Sequence, residues 1–300
     1  GSPLISTLSL ILIITGLCFK AGLVPFHLPL PDAYSTSDPR VVAVLSILPK
    51  ISSVLILLQI LYPRMPMQFL TIGVGIFAVI SLVVGAVGSI RQNNINRLLA
   101  YSGIFNVGFV ATILIAAMYS FVDYDIVDGV KSVKDVYYPF GNIGRMAQKG
   151  AQFEAASKLV DLYFICYLLS IAPIILFTIF AKTINTDTLN GLFGKNKIAA
   201  IALTTALISL IAIPPFAGFL PKMHIIEMLV INFAYNWWIL LIIIITSTII
   251  TFAYLGIMAR IFISTSDNAD GVHFNFVAKG FFVILTIFIA SCIFWKHLFF

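Results

Sequence analysis

Charge is what this chain lacks. Only 10% of its 300 residues are Asp, Glu, Lys or Arg, 60% are hydrophobic, and mean hydropathy is +1.06. Soluble domains carry about 25% charged residues, so that balance excludes one. Carboxylates are scarcest, with only two glutamates, Glu154 and Glu227. The net charge is +6, yet no basic cluster with interleaved aromatics is present, which argues against a nucleic-acid partner. The three cysteines, Cys18, Cys166 and Cys292, all lie in apolar runs. Their spacing fits neither a metal site nor a disulfide framework, so they read as small buried hydrophobes. No His/Cys/Asp/Glu set has metal spacing. No Gly-rich phosphate loop or Ser/His/Asp arrangement stands out, and no pattern suits a flavin, nicotinamide or iron–sulfur cluster. Nothing in the first apolar run resembles a cleavable signal peptide. The chain opens Gly1-Ser2-Pro3, and its first apolar run contains Lys20.

What is there is apolar sequence in lengths that match a bilayer. A spanning helix takes about 20 mostly apolar residues. Eight runs qualify, near 4–26, 41–62, 67–90, 98–119, 159–181, 198–231, 236–262 and 276–299. The expected fold is therefore all-α, polytopic and transmembrane. The sixth run is too long for one plain span and contains Ile213-Pro214-Pro215-Phe216-Ala217-Gly218. A double proline removes two backbone donors, so a break is expected there. Open backbone at membrane depth is tolerated only inside protein or beside water. When the loops are placed alternately on two sides, one side collects Arg40, Arg91, Arg97, Lys182, Lys195, Lys197, Arg260 and Lys279. The other holds Arg64 and Lys296, with the long 120–158 stretch set aside. Positive-inside asymmetry makes the first side the matrix or cytoplasm and puts both chain ends opposite. The 120–158 stretch alternates charge signs around Tyr137-Tyr138-Pro139-Phe140-Gly141. It reads either as a solvated loop or as a docking strip for a neighbouring subunit.

Three lysines fall inside apolar runs: Lys20, Lys50 and Lys222. A lysine near the bilayer centre costs about 2.5–3.5 kcal/mol on insertion scales and points to function by default. Each lies beside a helix-weakening residue. Lys20 precedes Gly22 and Pro25, Lys50 follows Pro49, and Lys222 follows Pro221 just past Pro214, Pro215 and Gly218. Helix breaks free backbone carbonyls and admit water. Desolvation destabilises an ammonium, and a lysine brought near neutrality can take and release a proton. Snorkelling is the alternative for lysines near helix ends. His27 and His224 are candidate relay groups beside Lys20 and Lys222, or they bond a freed carbonyl. Glu227 follows Lys222 by five positions, so the two should not face each other. Asp161, at the head of the fifth run, reads as an interface residue. The breaks at 22–25 and 214–218 are candidate counterparts in two inverted repeats.

These motifs resemble a known family. Phe19-Lys20-Ala21-Gly22-Leu23-Val24-Pro25-Phe26-His27, followed by Pro31-Asp32-Ala33-Tyr34, is similar to the K-x-G-x-x-P-F-H…P-D-x-Y signature of the antiporter-like proton-pumping subunits of respiratory complex I. Leu48-Pro49-Lys50, the Arg91–Ser102 run and Ile213–Lys222 with Ile225-Ile226-Glu227 resemble the subunit-2 branch (chain N in bacteria). Asn96 stands where the family has a basic residue, Gly103 where it has Ser, Asn106 where it has His, and Pro29 where an aromatic is common.

The resemblance implies a fourteen-helix fold of two inverted five-helix repeats, of which this chain carries the seventh to fourteenth helices. On that scheme residues 1–62 end the first repeat and 63–262 form the second, with 120–158 as a hydrophilic insertion. Residues 263–300 hold the last helix. Lys20 and Lys50 would belong to the first half-channel and Lys222 to the second. The N-terminal helices with the family's fifth-helix glutamate would lie on a separate polypeptide, the favoured reading, or be lost, or lie outside this stretch of sequence. The resemblance further implies a non-redox translocase subunit of NADH:ubiquinone reductase, with FMN, iron–sulfur clusters and ubiquinone bound elsewhere. Its partners would be other membrane-arm subunits and lipid. Phenylalanine is abundant, at 26 residues, and with isoleucine gives the bias of AT-rich organellar genomes. The expected location is the mitochondrial inner membrane, with a bacterial plasma membrane as the other possibility. The rival readings are a cation/proton antiporter or hydrogenase membrane subunit, and a structural subunit that has lost pumping.

Overall fold

The computed structural model describes residues 3–61, 68–122, 149–181, 184–231, 233–263 and 276–291. Among the described residues every regular element is helical: α1 (Pro3–Ala21), α2 (Pro29–Thr36), α3 (Pro39–Leu45), α4 (Leu48–Leu61), α5 (Gln68–Gly88), α6 (Ile95–Val122), α7 (Lys149–Ala181), α8 (Leu192–Lys195), α9 (Lys197–Ile211), α10 (Phe219–Ile231), α11 (Phe233–Phe262) and α12 (Phe276–Ser291). Long apolar runs leave no choice but helix, because every backbone group must find its partner within the segment.

Five stretches are long and apolar enough to span a membrane: Pro39–Leu61, Leu70–Gly88, Ile95–Ile115, Ala156–Ala181 and Trp237–Phe262. Thr7–Ala21, Lys197–Ile211 and Ala278–Ser291 are shorter apolar helices. These account for the eight runs read from the sequence. The first run is interrupted at the break expected at 22–25. α1 stops at Ala21, and the chain then re-forms a helix at α2 that the sequence did not suggest. Pro29 and Pro31 do not prevent this helix, because proline is tolerated in the first turn, where the amides lack partners anyway. The ends of the 120–158 stretch also differ from expectation. α6 continues to Val122 and α7 begins at Lys149, so those ends are helical. Residues 123–148 and Cys292 lie outside the described residues.

α6 is the centre of the body, with 94% of its spanning stretch buried. Small residues let α5 come close. A Cβ on Gly85 would meet the backbone of Phe105, and one on Gly108 would meet the carbonyl oxygen of Ala78 at 2.7 Å. At the other extreme, only 33% of the α11 span is buried. Its Leu241, Ile244, Ile245, Phe252 and Leu255 point outward, as a lipid-facing helix requires. Cys18 and Cys166 are buried, as expected.

The two breaks repeat one hydrogen-bond pattern. Gly22 N donates to Cys18 O at 3.0 Å, and Ala212 N donates to Ile208 O at 3.1 Å. Leu23 N also reaches Cys18 O (3.0 Å), and Ile213 N reaches Ile208 O (3.3 Å). Phe26 N then donates to Leu23 O (2.8 Å), and Phe216 N to Ile213 O (3.1 Å). Both helices end on a residue of positive φ, Gly22 at 78° and Ala212 at 74°. Each turn also contains a cis X-Pro peptide, Val24-Pro25 and Pro214-Pro215. These left-handed caps satisfy the carbonyls that a helix end leaves open. Alanine pays a steric cost there that glycine does not. Ala212→Gly is therefore expected to stabilise the chain by about 0.5–1 kcal/mol, read as a higher thermal midpoint in detergent.

Candidate functional site

Lys50 and Lys222 share one local design. Each follows Leu-Pro and lies in the first turn of a helix, α4 or α10. Pro49 and Pro221 thus open helices rather than break them. The interruption before Pro49 falls at residues 46–47, between α3 and α4. Pro49 does leave its mark, since Ser53 Oγ donates to its carbonyl.

The two ammonium groups are held differently. Lys222 Nζ donates to Leu210 O at 2.5 Å. That carbonyl lies in the last turn of α9, where acceptors are open and the helix dipole is negative. The same ammonium lies 5.7 and 5.8 Å from the ring centroids of Phe105 and Phe109 on α6, within cation–π range. Lys50 is 1% exposed and its Nζ makes no hydrogen bond among the described residues. It lies 5.6 Å from the centre of the Tyr34 ring. Its head occupies the space left by Gly103, where a Cβ would collide with Nζ. A side chain at 103, where the family resemblance leads one to expect Ser, would have to shift the lysine head.

Between the two lysines run hydroxyl and amide groups from α6, α7, α9 and α11. Tyr163 Oη donates to Asn106 Oδ1 (2.7 Å), and Asn106 Nδ2 donates to Ser102 O (2.7 Å). Ser102 Oγ and Tyr254 Oη are 2.6 Å apart, and Ser170 Oγ and Ser209 Oγ 2.7 Å. Gly218 N, at the end of the second break, donates to Ser209 Oγ at 3.0 Å. A cavity of about 10 Å³ lies among Asn106, Tyr163, Tyr167, Ser209 and Lys222. That is room for about one water. The sequence reading missed these hydroxyls. Tyr163, Tyr167 and Ser170 recur at i, i+4 and i+7, one helical face, and that spacing was the available signal.

Lys20 is not brought to this cavity. It is exposed, on the side of α1 away from the buried Cys18 and Ala21. Lys20 and Lys50 therefore lie in different surroundings, one exposed and the other buried. His27 lies partly buried in the first break. His224 and Glu227, taken as separate candidates, form a pair at 3.2 Å (Nδ1 to Oε2) on α10. Asp32 of the P-D-x-Y signature pairs with Arg97 at 3.1 Å, and Tyr34 packs with Ala100, so two sequence motifs meet. Asp161 is exposed on α7 and Asn96 is buried.

Comparison with known proteins gives a consistent answer. The model of the family described as NADH:quinone oxidoreductase/Mrp antiporter, TM, matches residues 2–127 and 143–251. NADH-quinone oxidoreductase subunit N of Hirschia baltica is 31% identical over 281 residues, covering 89% of this chain and 51% of that protein. NAD(P)H-quinone oxidoreductase subunit 2, chloroplastic, of Mesostigma viride is 29% identical over 289 residues, covering 93% and 49%. The chain thus spans about half the length of the curated relatives it matches. A chain of respiratory complex I from Thermus thermophilus with bound aureothin shares the fold, with a TM-score of 0.72 over 99% of this chain and 59% of that one at 23% identity. A chain of the Mrp complex from Dietzia sp. DQ12-45-1b gives 0.66 over 97% and 57% at 16% identity.

Proposed function

Because the chain belongs to the NADH:quinone oxidoreductase/Mrp antiporter transmembrane family, we propose that it is a proton-translocating membrane subunit of an NADH:quinone oxidoreductase. In this role it relays protons through Lys50 and Lys222 and does no redox chemistry of its own. The observation that carries this reading is the pair of lysines on either side of a polar core between α6 and α7, one buried without a hydrogen bond among the described residues and one on a helix-end carbonyl. A scaffold gains nothing from a buried ammonium without a counter-ion. FMN, iron–sulfur clusters and the quinone belong, on this reading, to other subunits. The membrane is an energy-transducing one, and the mitochondrial inner membrane fits the composition. Both termini of the chain are assigned to the intermembrane-space side.

The partners follow from Lys20. A lysine on the open side of an apolar helix would meet lipid, at a cost of about 2.5–3.5 kcal/mol at mid-membrane. We assign that side of α1 to the family's N-terminal helices. His27 in the adjoining break would serve the same half-channel. His224 and Glu227 would serve the second. The matching breaks at 22–28 and 212–218 support two repeats that meet here.

Two measurements test the proposal. In proteoliposomes containing the purified complex, quinone reduction should drive proton movement equally well with and without sodium. A strict sodium requirement would favour the cation-antiporter reading, which the likeness to the Mrp chain keeps in view. A photo-crosslinking residue in place of Phe19, exposed beside Lys20, should capture protein rather than lipid. Crosslinks to lipid alone would overturn the assignment of that surface.

A further inference from the structure

The lysine-relay reading leaves open how Lys50 and Lys222 communicate. We propose that the Tyr167 hydroxyl is the group through which they exchange a proton, in the space kept open by Gly103. The proposal rests on the reading of the two lysines as relay groups.

Three observations carry it. A Cβ on Gly103 would collide with Lys50 Nζ and lie 3.3 Å from Tyr167 Oη, so the ammonium and the phenol share one small space. Tyr167 also lines the cavity that Lys222 lines, so one residue borders both lysines. Finally, the neighbouring hydroxyls are committed to other partners. Tyr163 is bonded to Asn106, Ser170 to Ser209 and Tyr254 to Ser102. The Tyr167 hydroxyl is buried beside Ser102 and has no hydrogen-bond partner of ordinary geometry among the described residues. An unpaired buried phenol is destabilising where phenylalanine would pack as well. Its presence calls for a use.

The step balances without net change at the relay. An N–H bond of the Lys50 ammonium breaks as its proton reaches the Tyr167 oxygen. The phenol's own proton passes to a water of the size the cavity admits. A proton of that water forms the new N–H bond on the neutral Lys222 amine. Tyr167 and the water end with the hydrogens they began with, and one positive charge has moved from Lys50 to Lys222. The reverse passage uses the same groups in the opposite order.

The test uses the assembled complex in proteoliposomes, with Tyr167→Phe, Gly103→Ala, Lys50→Met and Lys222→Met measured side by side. Tyr167→Phe keeps the ring and removes only the relay oxygen. It is expected to slow proton translocation about tenfold or more and to raise the solvent deuterium isotope effect, because proton transfer then limits the rate. Gly103→Ala keeps the phenol but fills the shared space, and should reproduce that loss. It decides the matter should Tyr167→Phe not assemble. Normal rates and isotope effects in Tyr167→Phe and Gly103→Ala, with both lysine variants inactive, would overturn the Tyr167 assignment and leave the lysine reading intact. Normal pumping in the lysine variants would overturn that reading, and this proposal with it.

Discussion

The assembled complex carrying Lys50→Met is expected to translocate protons at least about tenfold more slowly than the unaltered one, since a positioned acid–base group contributes 10²–10⁴-fold. The same substitution should make the protein more stable. Lys50 is 1% exposed, and its ammonium makes no hydrogen bond among the described residues. Methionine has a similar reach and no charge to desolvate. Removing a mid-membrane lysine relieves up to about 2.5–3.5 kcal/mol, part of which the Tyr34 ring already offsets. The two readouts therefore move in opposite directions: translocation falls while the thermal midpoint rises. A structural lysine would lose stability and function together. If Lys50→Met destabilised the protein and left proton transfer at its normal rate, the relay role would be excluded.

A second large effect is expected at Gly85, and here stability falls. A Cβ at this position would meet the backbone nitrogen and Cα of Phe105. Backbone cannot swing aside as a side chain does, so α5 and α6 would have to part. Gly85→Ala should cost about 2–3 kcal/mol, near the upper end for overpacking, read as a fall in thermal midpoint. Phe105 also faces the Lys222 ammonium, so proton transfer should slow as well. Gly16, with nothing near its missing Cβ, is the matched control. Gly16→Ala should leave stability within about 0.5 kcal/mol.

The spans were legible in the sequence because an apolar run of bilayer length has one structural outcome. The break at Pro214-Pro215 was legible because proline cannot donate. What was hidden is how the helices face one another. Lys20 and Lys50 carry the same chemistry and similar local signals, yet one is exposed and the other buried. Only packing tells them apart. The family grouping of those two lysines gave no hint that Lys50 adjoins Tyr167, which lines the cavity of Lys222. Ser102 and Tyr254 meet across 152 positions of sequence, and inside apolar runs each passes for an ordinary filler. Asn106 was noted as a departure from histidine, and the structure gives it a role as acceptor for Tyr163. α2 was missed because it is too short to register as a spanning run.

The close contact of α5 and α6 has a mechanical side. With backbone against side chain and backbone at Gly85 and Gly108, these two helices form a stiff beam, and Gly103 and Asn106 are fixed to it. Compliance must lie elsewhere. α9 and α10 are joined by an unwound turn at 212–218, and the ammonium of Lys222 bridges that turn by reaching back to Leu210. That bond straps the turn, so Lys222→Met should loosen it while leaving the beam of α5 and α6 intact.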